Sequence, residues 1–216
     1  MNTDYARLQM VNQQVRGWNV YDEDILEVLR SLPREHFVPE AFAALAFADI
    51  AIPLGHGEHM MTPTIEGRTL QALELDGDER VLEIGTGSGF LTACLAALGA
   101  EVTSIDIHAD FIESTRRKLA ALDINNVDLL QMDACSELPN GRFDAIAVTG
   151  SIRTFDPRFV EALNEYGRLF VVVGDAPAME AKLIERTSEH DWKTISLFET
   201  NLEPLVHVAP QPQFSF

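Results

Sequence analysis

The sequence has 216 residues, and 46% of them are hydrophobic, which is enough for one domain with a sizeable core. Its 34 acidic residues outnumber its 16 Lys and Arg, and a chain with a net charge of −18 repels nucleic-acid phosphates. We therefore expect no nucleic-acid partner. No run of about eighteen apolar residues and no N-terminal secretory signal is present, so we expect no membrane partner either. The two widely separated cysteines, Cys94 and Cys135, indicate a reducing, cytoplasmic location.

The first 75 residues are predicted to form helices followed by a functional loop. Apolar spacing and capping residues predict helices over residues 3–16, 23–31, 40–48 and 65–73. Asp22 can cap the second of these helices. Residues 52–64 contain too many glycines and prolines for regular structure, so we expect an ordered loop there, of the kind that carries function.

From residue 80 onward, apolar strands alternate with helices, which predicts a mostly parallel sheet. The predicted strands cover residues 81–84, 101–107, 127–131, 143–149 and 167–174. The predicted helices cover residues 90–99, 109–122, 157–164 and 177–190. Residues 193–200 and 205–208 are predicted to form a final antiparallel strand pair. The only basic cluster, Arg116-Arg117-Lys118, falls on a helix, where we expect a solvated face. The predicted fold is therefore α/β, a Rossmann-like sheet with an N-terminal helical extension.

A glycine motif connects the first predicted strand of this sheet to its helix. The glycines stand at alternate positions, Gly85, Gly87 and Gly89. They permit positive φ and let a ligand lie against bare backbone at a helix N-terminus. The dinucleotide pattern G-x-G-x-x-G fails, because Phe90 and Thr92 stand where its third glycine would be. Glu83 at the strand end suits a cationic ligand such as S-adenosylmethionine, which carries an ammonium and a sulfonium group and no phosphate.

The pattern E-x-G-x-G-x-G resembles the first motif of class I S-adenosylmethionine-dependent methyltransferases. The cofactor-binding residues predicted within it are Glu83, Gly85, Thr86, Gly87, Ser88 and Gly89. The alternative is a purely structural glycine turn between a strand and a helix.

Two acids follow later strands of the predicted sheet. Asp106 ends the second strand, 21 residues after Gly85, where an acid can accept both ribose hydroxyls of a nucleoside cofactor. Its alternative role is to cap the helix over 109–122. Asp133 follows the third strand and can accept the adenine amino hydrogen, with an ordinary loop acid as the alternative. The other predicted cofactor contacts are Ile107, Ala134 and Thr149, and Gly150 is assigned to the acceptor side.

The histidines do not predict a metal cofactor. His56 and His59 share one loop, but no third ligand of suitable spacing follows them in the sequence. No serine or cysteine occurs in a nucleophile motif either, so a catalytic triad is not expected.

Over nearly its whole length the chain resembles the protein-L-isoaspartate O-methyltransferase family. The segments that carry the resemblance are Met10-Val-x-x-Gln14, Asp24-Ile-Leu-x-Val-Leu, Pro33-Arg-Glu-x-Phe-Val-Pro39, Asp49-Ile-x-Ile-Pro-Leu-Gly55, residues 81–90, residues 143–149 and Gly167-Arg-Leu-x-x-x-Val-Gly174. The resemblance implies one structural domain, with helices and an active-site loop in residues 1–75 and an S-adenosylmethionine-binding α/β core in residues 76–216. It also implies methyl transfer to the free carboxylate of L-isoaspartyl residues in damaged proteins, with S-adenosylhomocysteine as the second product.

The sequence departs from this family in the active-site loop. After the loop glycine the family reads Q-T-I-S-x-P, whereas this chain has Glu58, His59, Met60, Met61, Thr62 and Pro63. Met61 replaces the serine whose hydroxyl contacts the isoaspartyl carboxylate, and a thioether cannot donate a hydrogen bond. His59 and Thr62 are candidate replacements, so the predicted substrate-side residues are His59, Met60, Met61, Thr62 and Gly150. The alternatives are a methyltransferase of the same fold with another acceptor, and a non-catalytic module that binds S-adenosylmethionine or a protein.

Overall fold

The structure, a computed structural model, describes residues 3–208, so both predicted ranges, 1–75 and 76–216, extend beyond it. A seven-stranded sheet runs through this part of the chain in the order β5-β4-β3-β6-β7-β8-β9. Its strands are β3 (Arg80–Ile84), β4 (Glu101–Asp106), β5 (Val127–Gln131), β6 (Phe143–Ile152), β7 (Leu163–Asp175), β8 (Ala178–Arg186) and β9 (Trp192–Thr200). Five neighbouring strands, β5, β4, β3, β6 and β7, run parallel to one another. Strands β8 and β9 are added at the β7 edge, each antiparallel to its neighbour. The predicted α/β fold with an antiparallel C-terminal pair is confirmed.

Within residues 3–208, six α-helices surround the sheet or precede it. They are α1 (Thr3–Gln9), α2 (Glu23–Ser31), α3 (Pro63–Leu73), α4 (Phe90–Leu98), α5 (Ala109–Ala121) and α6 (Pro157–Glu161). A π-helical turn, Met10–Val15, continues α1, and 3₁₀ turns cover Arg16–Trp18, Arg34–His36 and Glu40–Leu45. The Asp22 side chain caps α2 as predicted, accepting the backbone N–H groups of Asp24 and Ile25. Among the described residues, no helix is long and apolar enough to cross a membrane.

The helix predicted over 177–190 is wrong, because Ala178–Arg186 is strand β8. Alanine, glutamate and lysine in this segment favour a helix, but its buried residues alternate with more exposed ones, as in Met179-Glu180-Ala181. Pairing on both sides, with β7 and with β9, gives this segment its conformation and overrides local propensity.

Three other predicted elements differ in extent. Residues 205–208 form no strand; Pro204 makes an isolated bridge to Ser151, and β8 takes the place of the predicted partner of β9. The predicted loop over 52–64 contains a hairpin of β1 (Ile52–Gly55) and β2 (Glu58–Met60). The helix predicted over 157–164 ends at Glu161, because β7 begins two residues later.

Successive residues of the central strands face opposite sides of the sheet, and a hydrophobic core lies on each side. Ala145 and Ala147 of β6 face one core, which also contains the N-terminal helices, α4 and α5. Ile146 and Val148 face the other, which α6 covers. The N-terminal helices are therefore packed on the sheet, and they position the hairpin beside its carboxyl edge.

A buried arginine fixes the end of that hairpin. The Arg34 guanidinium donates to the carbonyl oxygens of Ala46 and Met61, at 2.9 Å each, and pairs with the buried carboxylate of Glu66. It also lies 4.8 Å from the centre of the Phe90 ring. This network ties the backbone that follows β2 to helices α3 and α4.

Candidate functional site

A cleft of about 300 Å³ lies at the carboxyl ends of β3, β4, β5 and β6, where open α/β sheets bind ligands. The hairpin and residues 201–206 form its outer walls. The predicted site residues that line it are His59, Met60, Met61, Thr62, Gly85, Gly87, Asp106, Ile107, Asp133, Ala134, Thr149 and Gly150. A smaller recess of about 40 Å³ adjoins it and is lined by Glu83, Thr86 and Ser88. Among the predicted residues, Gly89 alone lines neither space.

The three glycines of the motif all have positive φ, but they serve different contacts. A Cβ at Gly85 would collide with the Thr149 hydroxyl, which donates to the carbonyl oxygen of Gly85 at 2.8 Å. A Cβ at Gly89 would lie 2.5 Å from the Thr115 hydroxyl, so this glycine lets α4 pack on α5. The Gly87 N–H donates to Asp106 at 2.9 Å, which joins the glycine turn to the end of β4.

Glu83 is fully buried beneath the glycine turn. Its Oε2 accepts hydrogen bonds from the hydroxyls of Thr92 and Ser104, whereas its Oε1 has no partner among the described residues. Burial raises the pKa of Glu83 to about 8. An unpaired, buried carboxylate oxygen beside a recess is a ready acceptor for a ligand ammonium group or for a water that bridges to one.

Asp106 presents its carboxylate to the main cleft. Oδ2 accepts the Gly87 N–H and Oδ1 accepts the His108 N–H at 2.8 Å. Burial raises the pKa of Asp106 despite these two hydrogen bonds. Helix α5 has no side-chain cap, so the alternative role of Asp106 as a helix cap is wrong. Each oxygen retains a lone pair, as the predicted contact to two hydroxyls requires.

Asp133 already has three protein partners. Its Oδ1 accepts the Cys135 N–H, and its Oδ2 contacts the Ser136 hydroxyl and the His207 imidazole, all at 2.9 Å. Burial acts to raise its pKa, but the hydrogen bonds from His207 and Ser136 outweigh burial and lower it. The contact to an adenine amino group stays a prediction, and it would use the remaining lone pair of this carboxylate.

The end of the cleft that is predicted to hold the acceptor, here called the acceptor end, is lined by Met60 and Met61, both almost fully buried. The Thr62 hydroxyl lies 2.9 Å from the Thr64 hydroxyl, which donates its single proton to the Asp49 carboxylate at 2.8 Å. The Thr62 proton is therefore donated to Thr64, and the Thr62 oxygen also caps α3 by accepting the Ile65 N–H. The Thr62 hydroxyl therefore has no free O–H to donate to a substrate.

His59 differs from Thr62 because its imidazole has no hydrogen-bond partner among residues 3–208. Its side chain is 35% exposed, and its Nδ1 lies 3.7 Å from the Glu203 carboxylate across the cleft. Glu58 stands at the same end, and burial raises the pKa of its carboxyl. His59 is thus an imidazole with no hydrogen-bond partner among the described residues, and the Glu58 and Glu203 carboxyl groups lie near it.

The sequence did not identify three parts of this site. Residues 201–206 wall the cleft because Ser151 hydrogen-bonds to Glu203 and Leu205, and a Cβ at Gly150 would lie 2.7 Å from Leu205. Lys118 was expected on a solvated face, yet its Nζ donates to the carbonyl of Ser88 at 2.9 Å, and burial lowers its pKa to about 8. The Arg34 network is the third part. All three depend on contacts between distant segments.

His56 also has a role that its neighbours in sequence do not reveal. It occupies the hairpin turn with φ +55°, and its ring stacks on His108 with 4.0 Å between the ring centres. Its Nε2 lies 3.0 and 3.1 Å from the two carboxylate oxygens of Asp110. The hairpin therefore contacts the start of α5 across the mouth of the cleft.

Comparison with known proteins finds that the chain is similar to members of one enzyme family. The family described as "Protein-L-isoaspartate(D-aspartate) O-methyltransferase (PCMT)" matches residues 6–208. A protein-L-isoaspartate O-methyltransferase 1 from Rhodopseudomonas palustris is 37% identical, over 96% of this chain and 88% of its own length. The protein-L-isoaspartate O-methyltransferase of Aliivibrio salmonicida is 34% identical, over 94% and 97% respectively.

Solved structures show the same fold. A Plasmodium falciparum structure, described as a putative protein-L-isoaspartate O-methyltransferase in complex with S-adenosyl-L-homocysteine, superposes with a TM-score of 0.79 at 20% identity. That superposition covers 95% of this chain and 98% of the other.

Proposed function

The chain belongs to the protein-L-isoaspartate O-methyltransferase family, and we propose that it transfers a methyl group from S-adenosylmethionine to L-isoaspartyl carboxylates of damaged proteins. The observation that carries the proposal is the family match over residues 6–208, within which all the predicted cofactor and substrate residues except Gly89 line the main cleft or its adjoining recess. The proposed location is the cytoplasm, which the free thiols of Cys94 and Cys135 support.

The proposed reaction requires positioning more than proton transfer. A carboxylate is already ionised at pH 7, and the sulfonium already activates the methyl group. The carboxylate oxygen attacks the methyl carbon as the carbon–sulfur bond breaks, and S-adenosylhomocysteine leaves as a neutral thioether. The chain must therefore hold donor and acceptor in line and keep both oriented.

The residues at the glycine turn fit the donor. The unpaired Glu83 oxygen matches the ammonium group of S-adenosylmethionine, reached directly or through water. Asp106 has one lone pair on each oxygen for the ribose hydroxyls, and Gly87, which lines the cleft without a side chain, lets the cofactor approach the backbone. Methyl transfer of this type needs no metal.

At the acceptor end we assign the carboxylate-binding role to His59. Met61 has no donor, and the proton of Thr62 is held by Thr64. The Met61 carbonyl is fixed by Arg34, so the loop backbone is held in place. His59 has an uncommitted imidazole N–H, which can donate to an isoaspartyl carboxylate, and its side chain is 35% exposed at this end of the cleft.

The test is transfer of tritiated methyl groups to an isoaspartyl peptide, with the matched aspartyl peptide as the control. We expect transfer to the isoaspartyl peptide only. Transfer no greater than to the control peptide would rule out the proposed acceptor while leaving cofactor binding intact.

A second acceptor class is favoured by Glu58 and Glu203, because carboxylates at the acceptor end repel an anionic substrate. The alternative function is methyl transfer to a neutral or cationic group by the same fold. Met61→Ser separates the two. If the parent protein is inactive on the isoaspartyl peptide and Met61→Ser gains a large activity, the alternative acceptor is supported. If the parent already methylates the isoaspartyl peptide efficiently, the alternative is ruled out.

A further inference from the structure

We propose that His56, His108 and Asp110 form a binding site for one divalent transition-metal ion, with Zn²⁺ as the best match. One potential ligand atom from each side chain lies within 4.8 Å of the others. Imidazole nitrogen and carboxylate oxygen are the usual protein ligands of zinc, and three protein ligands with an open fourth position are a common arrangement. His108 also lines the main cleft, but the metal site does not depend on the proposed function.

The distances already approach those of a coordinated ion. Ligand atoms on one tetrahedral zinc stand about 3.4 Å apart, given metal–ligand distances of about 2.1 Å. The His56 Nε2 lies 3.0 Å from the Asp110 carboxylate, close to that separation. All three ligand atoms lie within 4.8 Å of one another, so coordination requires a shift that draws them closer and turns the His56 ring out of its parallel stack on His108. The side chains of His56 and Asp110 are 44% and 65% exposed, so side-chain rotation can supply that shift.

An unsatisfied nitrogen supports the site independently of these distances. The Nε2 of His108 is buried and has no hydrogen-bond partner among the described residues. Buried polar atoms are normally paired, so an orphan beside two other ligands indicates a missing partner.

The position of the ion would determine what it does. His56 lies in the turn of the β1–β2 hairpin, and His108 and Asp110 lie at the start of α5, two and four residues after Asp106. A bound ion would therefore join the hairpin to α5 across the mouth of the cleft.

The test is calorimetric titration of the full-length chain, free of any histidine tag, with zinc chloride. We expect one ion per chain, and affinity at least about tenfold weaker in His56→Ala and in Asp110→Asn, since even an outer-shell partner is worth roughly 10–100-fold. His190→Ala, at an exposed position in the loop before β9, is the matched control and should bind zinc as the parent does.

Hydrogen exchange supplies a readout that concerns the hairpin itself. Zinc should slow amide exchange over residues 55–58 in the parent and not in His56→Ala. Equal zinc affinity in the parent and in either His56→Ala or Asp110→Asn would overturn the proposal. Circular dichroism of each variant without zinc verifies that the fold is retained.

Discussion

The cofactor half and the acceptor half of the cleft are built in different ways. The cofactor half consists of strand ends and a glycine turn with short contacts beneath it that are buried, such as the Ser104–Glu83 hydrogen bond of 2.6 Å. The acceptor half consists of the hairpin and residues 201–206, and its polar groups are partly exposed, with His59 and Glu203 separated by 3.7 Å. Because the sheet fixes the positions of the strand ends, a few residues there determine which ligand the cofactor half can bind. The second half can vary its acceptor contacts without disturbing the fold.

The largest expected effect comes from disrupting the rigid half. Gly85→Ala places a Cβ against the Thr149 hydroxyl at a residue with φ +99°. Left-handed backbone costs about 1–2 kcal/mol and overpacking about 1–3, so we expect a loss of about 2–5 kcal/mol of unfolding free energy. Urea denaturation measures it. Gly17→Ala, with open space around its Cβ and no positive φ, is the control. Similar stability in the two variants would show that the turn tolerates a side chain.

The second effect concerns cofactor affinity alone. Asp106→Ala should weaken S-adenosylhomocysteine binding by about 1.5–3 kcal/mol, the range for hydrogen bonds to a charged group, or roughly 10- to 150-fold in Kd. Calorimetry measures the change, and Glu113→Gln on the exposed face of α5 is the charge-matched control. An unchanged Kd would remove Asp106 from the cofactor site.

A third prediction follows from the buried acid of the same half. The folded-state pKa of Glu83, about 8, lies above its ordinary value of 4.5. The protonated carboxyl therefore contributes stability that is fully present below about pH 4.5 and is lost as the pH rises through about 8.

Glu83→Gln mimics the neutral form, so its stability should decline less between about pH 5 and 9 than that of the parent. Its affinity for S-adenosylhomocysteine should also lose the increase with pH that ionised Glu83 gives the parent. Urea titrations and calorimetry across this range test both points. Parallel pH curves for the two proteins would contradict the assignment.

The smallest expected effect comes from the acceptor half. Thr62→Ala removes the cap of α3, which should cost about 1 kcal/mol of stability. Its effect on isoaspartyl transfer should be smaller than that of His59→Ala, because the Thr62 proton is already donated to Thr64. Thermal denaturation and methyl-transfer assays measure the two quantities. A larger loss of transfer in Thr62→Ala would make Thr62 the acceptor contact.

The contrast between the two halves also explains how far the sequence could predict them. Strand, glycine turn and helix are adjacent in sequence, so the positions of Gly85 and Asp106 at one sheet edge followed from local pattern. Leu205 and Glu203 reach the cleft, and Lys118 reaches the glycine turn, only through contacts with segments 30 or more residues away, which no local pattern encodes. Strand β8 was mistaken for a helix for the same reason, since pairing with β7 and β9 determines its conformation.

The most direct test of this division is to measure two quantities on one variant, His59→Ala. We expect its Kd for S-adenosylhomocysteine to equal that of the parent, while kcat/KM for an isoaspartyl peptide falls on the order of 10- to 150-fold, the value of a hydrogen bond to a charged group. His59→Gln, which keeps a donor, should recover part of that loss. An unchanged kcat/KM in His59→Ala, or an equal loss of cofactor affinity, would contradict the assignment of His59 to the acceptor.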